Sequence, residues 1–195
     1  MSTVFKNFIT FVKNLINGEE YISDRTKIAY TVSLISVVHA LIAFFFGCFG
    51  NIPLVLYNIA SFFLYQGLME LAKKKKYIAV TVITGVEIVV FVLITSLAIG
   101  NIMRFNIYCL ALVSGMFYIT STVKDFKGKT MVPFLFSMFS MAAYVCSLLF
   151  DLFHEPVFVI EPSVGTQLVE IFNVIVVYSV MIIFSLLFTW EMKNN

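Results

Sequence analysis

The sequence predicts an all-α integral membrane protein, built as a bundle of six transmembrane helices with an interfacial amphipathic helix before it. Apolar residues make up 61% of the chain and charged residues only 12%, whereas about a quarter of a soluble domain is charged. Six apolar stretches are each long enough to cross the hydrocarbon core of a bilayer, which takes about 20 helical residues. We therefore expect a single membrane domain over 1–195, with almost nothing left for a separate soluble domain.

The predicted spans fill most of the bundle between 28 and 190. They are 28–47, 53–72, 77–99, 103–123, 131–150 and 167–189. If the spans alternate in direction, all the Lys and Arg residues except Arg104 fall on one side of the membrane. Because cytoplasmic loops collect Lys and Arg, both termini are predicted to be cytoplasmic.

Residues 3–17 are predicted to form a separate amphipathic helix, which is too short and too polar to span the bilayer. Its apolar residues recur at three- and four-residue spacing, and they are Val4, Phe5, Phe8, Ile9, Val12, Leu15 and Ile16. Lys6 and Lys13 lie on the other face, so we expect the helix in the inner interface with its lysines toward anionic headgroups. The lysines at 73–76 either bind anionic lipid as well or act only as a topological anchor.

The first span carries a continuous line of small residues. These are Ala29, Ser33, Ser36, Ala40, Ala43 and Gly47, and they repeat with a period of 3.5 residues. Small residues let helices approach closely in lipid, where packing replaces the hydrophobic driving force. The pattern predicts that the first helix is central in the bundle.

Two ionisable residues lie deep within predicted spans. His39 is twelve residues beyond Lys27, or ~18 Å, and Glu87 is eleven residues beyond Lys76, or ~16 Å. A hydrogen bond between His39 and Glu87 near the midplane would lower the free-energy cost of burying both. Such a pair either senses protons or ligand, or only fixes the register of two helices.

A second set of polar residues is predicted nearer the outer surface. Asn58, Asn106 and Asn173 lie at similar depths, with Glu170 one turn outward from Asn173 on the same helix face. Together with Tyr108 they predict a small polar pocket open to the outside. The alternative is ordinary hydrogen bonding between helices, with Glu170 hydrated at the interface.

The sequence contains none of the common catalytic or nucleotide-binding motifs. H-E-x-x-H, G-x-S-x-G and the P-loop are all absent. The three cysteines have no metal-ligand spacing. We therefore expect no enzyme activity in this chain, no cofactor, no metal ion and no nucleic-acid partner.

The segment from Glu87 to Tyr108 carries a family resemblance. It contains an in-span glutamate, then Gly100 in an outer turn, then Phe105 and Tyr108 at the start of the fourth span. This resembles the six-helix membrane sensor modules that precede GGDEF (diguanylate cyclase) or class III nucleotide cyclase domains in Firmicutes-type bacteria, which often read G-W-x-x-G-F-x-x-Y. Asn101 and Arg104 stand here in place of the Trp and the second Gly.

The resemblance implies a sensor module in a bacterial cytoplasmic membrane. It would perceive an external or intramembrane ligand and pass a movement of the sixth helix to a cytoplasmic output domain, and it would pair as a homodimer through that domain. It adds Phe105 to the candidate pocket. The alternative function is the substrate-binding membrane subunit of a vitamin or metal importer, in which the small-residue face of the first helix docks the transport partner. A purely structural assembly protein is a third possibility.

Overall fold

The protein is an all-helical bundle in the computed structural model, which describes residues 23–129 and 131–194. Its helices are α1 (Asp24–Cys48), α2 (Ile52–Lys73), α3 (Tyr77–Ile99), α4 (Tyr108–Thr122), α5 (Met131–Phe153) and α6 (Val164–Asn194). With the short turn that precedes α4, all six segments are long and apolar enough to cross a membrane. This confirms the predicted six-span architecture of a multi-pass membrane protein. The predicted amphipathic helix at 3–17 lies outside the described residues.

The first two helices begin at side-chain caps that the sequence signals. Ser23 Oγ accepts the backbone N–H of Thr26 at 3.2 Å, so α1 starts before the predicted apolar stretch. Asn51 Oδ1 accepts the N–H of Leu54 at 3.2 Å, and Pro53 occupies the first turn of α2. Both arrangements satisfy N–H groups that a helix start leaves without partners.

The fourth span differs from the prediction, which started its helix at 103. The backbone instead turns at Arg104, which adopts a left-handed conformation with φ of 52°. A 3-10 turn, Phe105–Ile107, follows, and α4 begins at Tyr108. Asn173 Nδ2 donates to the Met103 carbonyl at 2.7 Å, which holds this non-helical backbone against α6.

The most enclosed spans are the third and fourth rather than the first. Buried residues make up 44% of the apolar windows of Tyr77–Ile99 and Phe105–Thr122, compared with 33% for α1. The small-residue line of α1 packs against α2, where Gln66 Nε2 donates to Ser36 Oγ at 2.8 Å. The expectation that α1 is central is therefore wrong, because the line serves the tight α1–α2 hairpin.

The bundle has two ends, which we name after the residues that mark them. At the Lys27 end, the ammonium of Lys27 lies 2.6 Å from Glu191 Oε1 and joins the start of α1 to the last turn of α6. At the Arg104 end, the loop between α5 and α6 folds against α3, and the N–H of Phe158 donates to the Ala98 carbonyl at 2.7 Å.

Candidate functional site

Glu87 lies at the centre of a buried hydrogen-bond network. Its carboxylate accepts from Ser61 Oγ at 2.6 Å and from Tyr65 OH at 2.7 Å. Tyr57 OH donates at 3.1 Å, and His39 Nε2 lies 3.3 Å from Oε2. An ionised carboxylate has about four acceptor positions, and four donors surround this one. The side chain of Glu87 is 7% exposed, so the network replaces the water that lipid cannot supply.

Both ring nitrogens of His39 lie within hydrogen-bond distance of oxygen atoms. Nδ1 lies 2.8 Å from Asn58 Oδ1, and Nε2 faces the Glu87 carboxylate. The orientation of the Asn58 amide follows from its other bond, in which Nδ2 donates to the Leu54 carbonyl at 2.8 Å. A doubly protonated imidazole donates from both nitrogens, and in that state the contact with Glu87 is an ion pair. The predicted His39–Glu87 contact is present, and the hydrogen bonds around it join α1, α2 and α3.

Aromatic rings enclose the imidazole ring of His39. Tyr65 stacks on His39 with ring centroids 5.4 Å apart, and Phe91 meets it edge-on at 5.2 Å. Phe91 also contacts Phe105 at 5.5 Å and Tyr108 at 6.0 Å. These rings shield the His39–Glu87 pair from lipid, and Phe91 connects the pair to the start of the fourth span.

The structure moves Asn58 from the predicted outer pocket to the His39 site. The prediction counted depth for His39 from Lys27, which is itself buried within α1. Counted from the observed helix ends, His39 is fifteen residues beyond Asp24 and Asn58 is fifteen before Lys73, so they share a depth. Sequence reasoning left out Ser61 and Tyr65, although their spacing after Tyr57 puts all three on one face of α2.

The other candidate residues form a second group at the Arg104 end. Tyr108 OH donates to Asn173 Oδ1 at 3.1 Å, while the Glu170 carboxylate pairs with Arg104 Nε at 2.7 Å. Phe105 and Asn106 are buried in the 3-10 turn. Asn58 thus bonds to His39, whereas Glu170 and Asn173 bond to residues at the Arg104 end.

A cavity of about 90 Å³ lies instead between α1, α3, α4 and α6. His39 and Tyr108 line its end near the ion pair, and Ile28 and Ile119 line the end toward Lys27. Its walls are otherwise mostly apolar side chains. Of the predicted site residues, only His39 and Tyr108 reach this cavity.

We infer that the cavity opens toward the lipid between α1 and α6, because these two helices contact each other near their ends and both line the cavity between those contacts. Val38 of α1 and Val176 of α6 are half-buried there. The two helices contact each other through Lys27 and Glu191 near one end. Near the other end they contact through Phe45 and Phe172, whose ring centroids are 5.1 Å apart. Between these contacts lies the α1–α6 window, flanked by Thr31, Leu34, Ile35 and Val38 on one side and Val176 and Val180 on the other.

Comparison with known proteins returns no match, either to a family model, to a curated protein or to a solved structure. Over residues 23–129 and 131–194, no group of three or more His, Cys, Asp and Glu side chains is arranged to hold a metal ion. The chemistry that the described site offers is therefore that of a fixed ion pair beside a mostly apolar, lipid-facing cavity, and such a cavity suits a ligand dissolved in the membrane.

Proposed function

We propose that this chain is a ligand-responsive sensor module of a signalling protein in a bacterial cytoplasmic membrane. The observation that carries the proposal is the cavity that α6 forms with α1, α3 and α4, of which α1 and α3 are joined by the His39–Glu87 pair. A ligand that enters this cavity contacts a fixed wall on one side and α6 on the other. Binding then shifts the position of α6, provided that the ligand prefers one arrangement of the bundle over the other.

The polar contacts of the bundle are distributed unequally between α6 and the other helices. The His39–Glu87 network fastens α1, α2 and α3 together at mid-depth. The polar side-chain contacts that α6 makes with other helices lie toward its two ends, through Glu170 and Asn173 at one and Glu191 at the other. Its middle turns instead contribute Val176, Val180 and Phe184 to the cavity. This distribution supports α6 as the element that responds to the ligand.

The remaining features of the proposal follow from charge and from the family resemblance. The basic residues favour both termini in the cytoplasm, with the Lys27 end inside. The N-terminal amphipathic segment would contact anionic lipid there. Movement of α6 would reach a cytoplasmic output domain, of the cyclase type in the family that the chain resembles, and would act within a homodimer. The importer alternative gains nothing from the described contacts, since Ser33 and Ser36 of the small-residue line already contact Met69 and Gln66.

A glycine on α4 provides a test that needs no ligand. Gly115 lines the cavity, and a Cβ added there would lie 2.9 Å from Cε2 of Phe184 on α6. Gly115→Ala therefore requires the Phe184 ring to shift, and because Tyr118 stacks on that ring with centroids 5.4 Å apart, we expect part of the shift to reach α6 as it would with a bound ligand. Gly67→Ala is the matched control, because a Cβ at that helical position meets nothing within 4 Å.

The measurement is the distance between spin labels at Lys74 and Thr189, obtained by pulsed EPR on the whole chain in lipid nanodiscs with its native cysteines replaced. Gly115→Ala should shift this distance by about 1–2 Å, the scale of helix movements in known switches, and Gly67→Ala should leave it unchanged. A distance distribution that is the same in wild type and Gly115→Ala would mean that the cavity is not coupled to α6, and the sensor proposal would fail.

A further inference from the structure

We propose that the cavity holds one unbranched hydrocarbon chain of a membrane lipid, which enters between α1 and α6 from the leaflet at the Lys27 end. The walls recognise the chain by shape and by dispersion contacts, while the headgroup of the lipid stays outside the bundle. This inference rests on the proposed sensor function and deepens it by naming the class of ligand.

The surface of the cavity is formed by carbon atoms, even where polar residues line it. The polar atoms of three lining residues already have partners within the bundle, and these residues are His39, Tyr108 and Thr31. The hydroxyl oxygens of Thr81 and Thr84 are themselves buried in the packing of the helices. A bound water needs about two to four polar partners, whereas dry apolar cavities bind apolar molecules. A hydrocarbon is therefore the occupant that matches this surface.

The cavity is long and narrow, and it runs along the bundle axis. Its α3 wall extends from Val80 to Phe91 and its α4 wall from Tyr108 to Ile119, which is about 16 Å along each helix. This length is close to half the hydrocarbon thickness of a bilayer, about 15 Å, which is the depth that one acyl chain covers. A volume of about 90 Å³ corresponds to a single file of about six to nine water-sized spheres. Such a space fits one unbranched chain better than a ring system.

A second, smaller cavity provides the route from the leaflet at the Lys27 end. It has a volume of about 40 Å³ and shares four lining residues with the main cavity, which are Thr31, Leu34, Val180 and Phe184. From these shared walls it continues to Lys27 and Leu187. Within the described residues, α1 and α6 do not belong to the closely packed helix pairs. A chain whose headgroup lies at the Lys27 end would therefore pass between α1 and α6, with its tip toward His39 and Tyr108.

Dispersion contacts explain why a chain would stay in the cavity. Lipid tails are as apolar as the cavity walls, so a chain that leaves the bulk bilayer gains nothing from the hydrophobic effect. The walls of an empty cavity lack neighbours on one side, and a chain restores those contacts. It would touch α3 and α4 on one side and Val176, Val180 and Phe184 of α6 on the other. The position of α6 would then depend on the chains that the membrane supplies.

Photo-crosslinking tests for this occupant directly. The whole chain is placed in phosphatidylcholine nanodiscs with a trace of phosphatidylcholine that carries a diazirine, either at the end of one palmitoyl chain or next to its ester. Mass spectrometry then maps the labelled sites along α4. Leu112 and Ile119 line the cavity and are 4% and 3% exposed, whereas Phe117 is 49% exposed and reports contact with bulk lipid.

The variants narrow the passage between α1 and α6. Val38→Phe does so from α1, and Val176→Phe does so independently from α6. Val37→Phe is the matched control, because it makes the same change at the neighbouring residue, which is 50% exposed and does not line the cavity. None of these changes alters the α4 peptides in which labelling is measured. Size-exclusion chromatography and circular dichroism identify the variants that fold.

In the wild type, the chain-end probe should label Leu112 preferentially, and the probe near the ester should label Ile119 preferentially. Val38→Phe and Val176→Phe should each lower the labelling of these two residues relative to Phe117 by about fivefold or more, because a ring that fills the passage leaves no room for a chain at interior packing density. Val37→Phe should leave the ratio unchanged.

The proposal is overturned if Leu112 and Ile119 stay unlabelled in the wild type while Phe117 is labelled, or if a folded Val38→Phe or Val176→Phe variant keeps the wild-type ratio. It is also overturned if the two probes label these sites in the reverse order, because the chain would then come from the opposite leaflet. Failure here is separable from failure of the sensor proposal, because the Gly115→Ala distance measurement uses no ligand.

Discussion

Glu87 and Thr84 lie one turn apart on α3, yet they show opposite solutions to burying a polar group in a membrane bundle. The Glu87 carboxylate is surrounded by four donors, with His39 as its counter-charge. The Thr84 hydroxyl, equally buried, has no partner within the described residues. A saturated polar group fixes the helices that supply its partners, whereas an unsaturated one adds a desolvation cost and holds no helix in place. The comparison therefore separates the part of the bundle that polar contacts hold from a part that they do not hold.

The largest expected effect comes from removing the Glu87 carboxylate, whose acceptor positions are all occupied. Glu87→Ala leaves the buried His39 without its carboxylate partner and leaves Tyr57, Ser61 and Tyr65 without their acceptor. Removing one partner of a buried ion pair costs about 3–5 kcal/mol, and we expect the free energy of unfolding to fall by this amount. SDS denaturation of the purified protein in detergent micelles would measure it.

Glu170→Ala is the control, because its pair with Arg104 is largely solvated, with the Arg104 side chain 62% exposed. We expect a loss below about 1 kcal/mol there. In addition, His39→Ala combined with Glu87→Ala should cost less than the two single changes together, by about 0.5–3 kcal/mol. Additive losses, or equal losses at Glu87 and Glu170, would contradict the buried ion pair.

A smaller effect is expected from removing a single donor from the network. Tyr65→Phe keeps the ring that stacks on His39 and removes only the hydroxyl that donates to Glu87 Oε2. The free energy of unfolding should fall by about 1 kcal/mol, because three donors to the carboxylate remain. Tyr178→Phe, at a residue that is 60% exposed, should change it by much less in the same assay. Equal effects would mean that Tyr65 contributes through its ring alone.

The helices were predictable because each follows from a local property of the chain. An apolar stretch of sufficient length has few alternatives to a helix in lipid, and all six predicted spans are observed. The start of α4 was not predictable, since the turn at Arg104 depends on a contact from Asn173, some seventy residues away. The central position expected of α1 failed for a similar reason, because a line of small residues indicates close packing without naming the partner helix.

Only the site residues of a type that seldom occurs within membrane spans were predictable from the sequence. His39 and Glu87 stand out because ionisable groups seldom lie in spans, and the structure brings them within 3.3 Å. Thr81 and Thr84 could not be singled out, because threonine in a transmembrane helix normally bonds to its own backbone, as Thr95 does. Whether a threonine hydroxyl bonds to its own helix or stays without a partner depends on how the neighbouring helices pack around it, which no local pattern encodes.

The smallest expected effect comes from removing the hydroxyls of Thr81 and Thr84. Unlike the changes above, it should raise the free energy of unfolding. Thr81→Val and Thr84→Val each replace a buried hydroxyl without a partner by a methyl group of the same shape. Each should raise the free energy of unfolding of the ligand-free protein by about 0.5 kcal/mol, because a desolvated group is removed and no hydrogen bond is lost. Thr95→Val makes the same chemical change at a hydroxyl bonded to its own helix, so its lost bond offsets the gain and the net change should be close to zero. SDS denaturation of lipid-stripped protein compares the three variants directly. If Thr81→Val and Thr84→Val destabilise the protein like a lost hydrogen bond, their hydroxyls have partners within the bundle, and the contrast between Glu87 and Thr84 disappears.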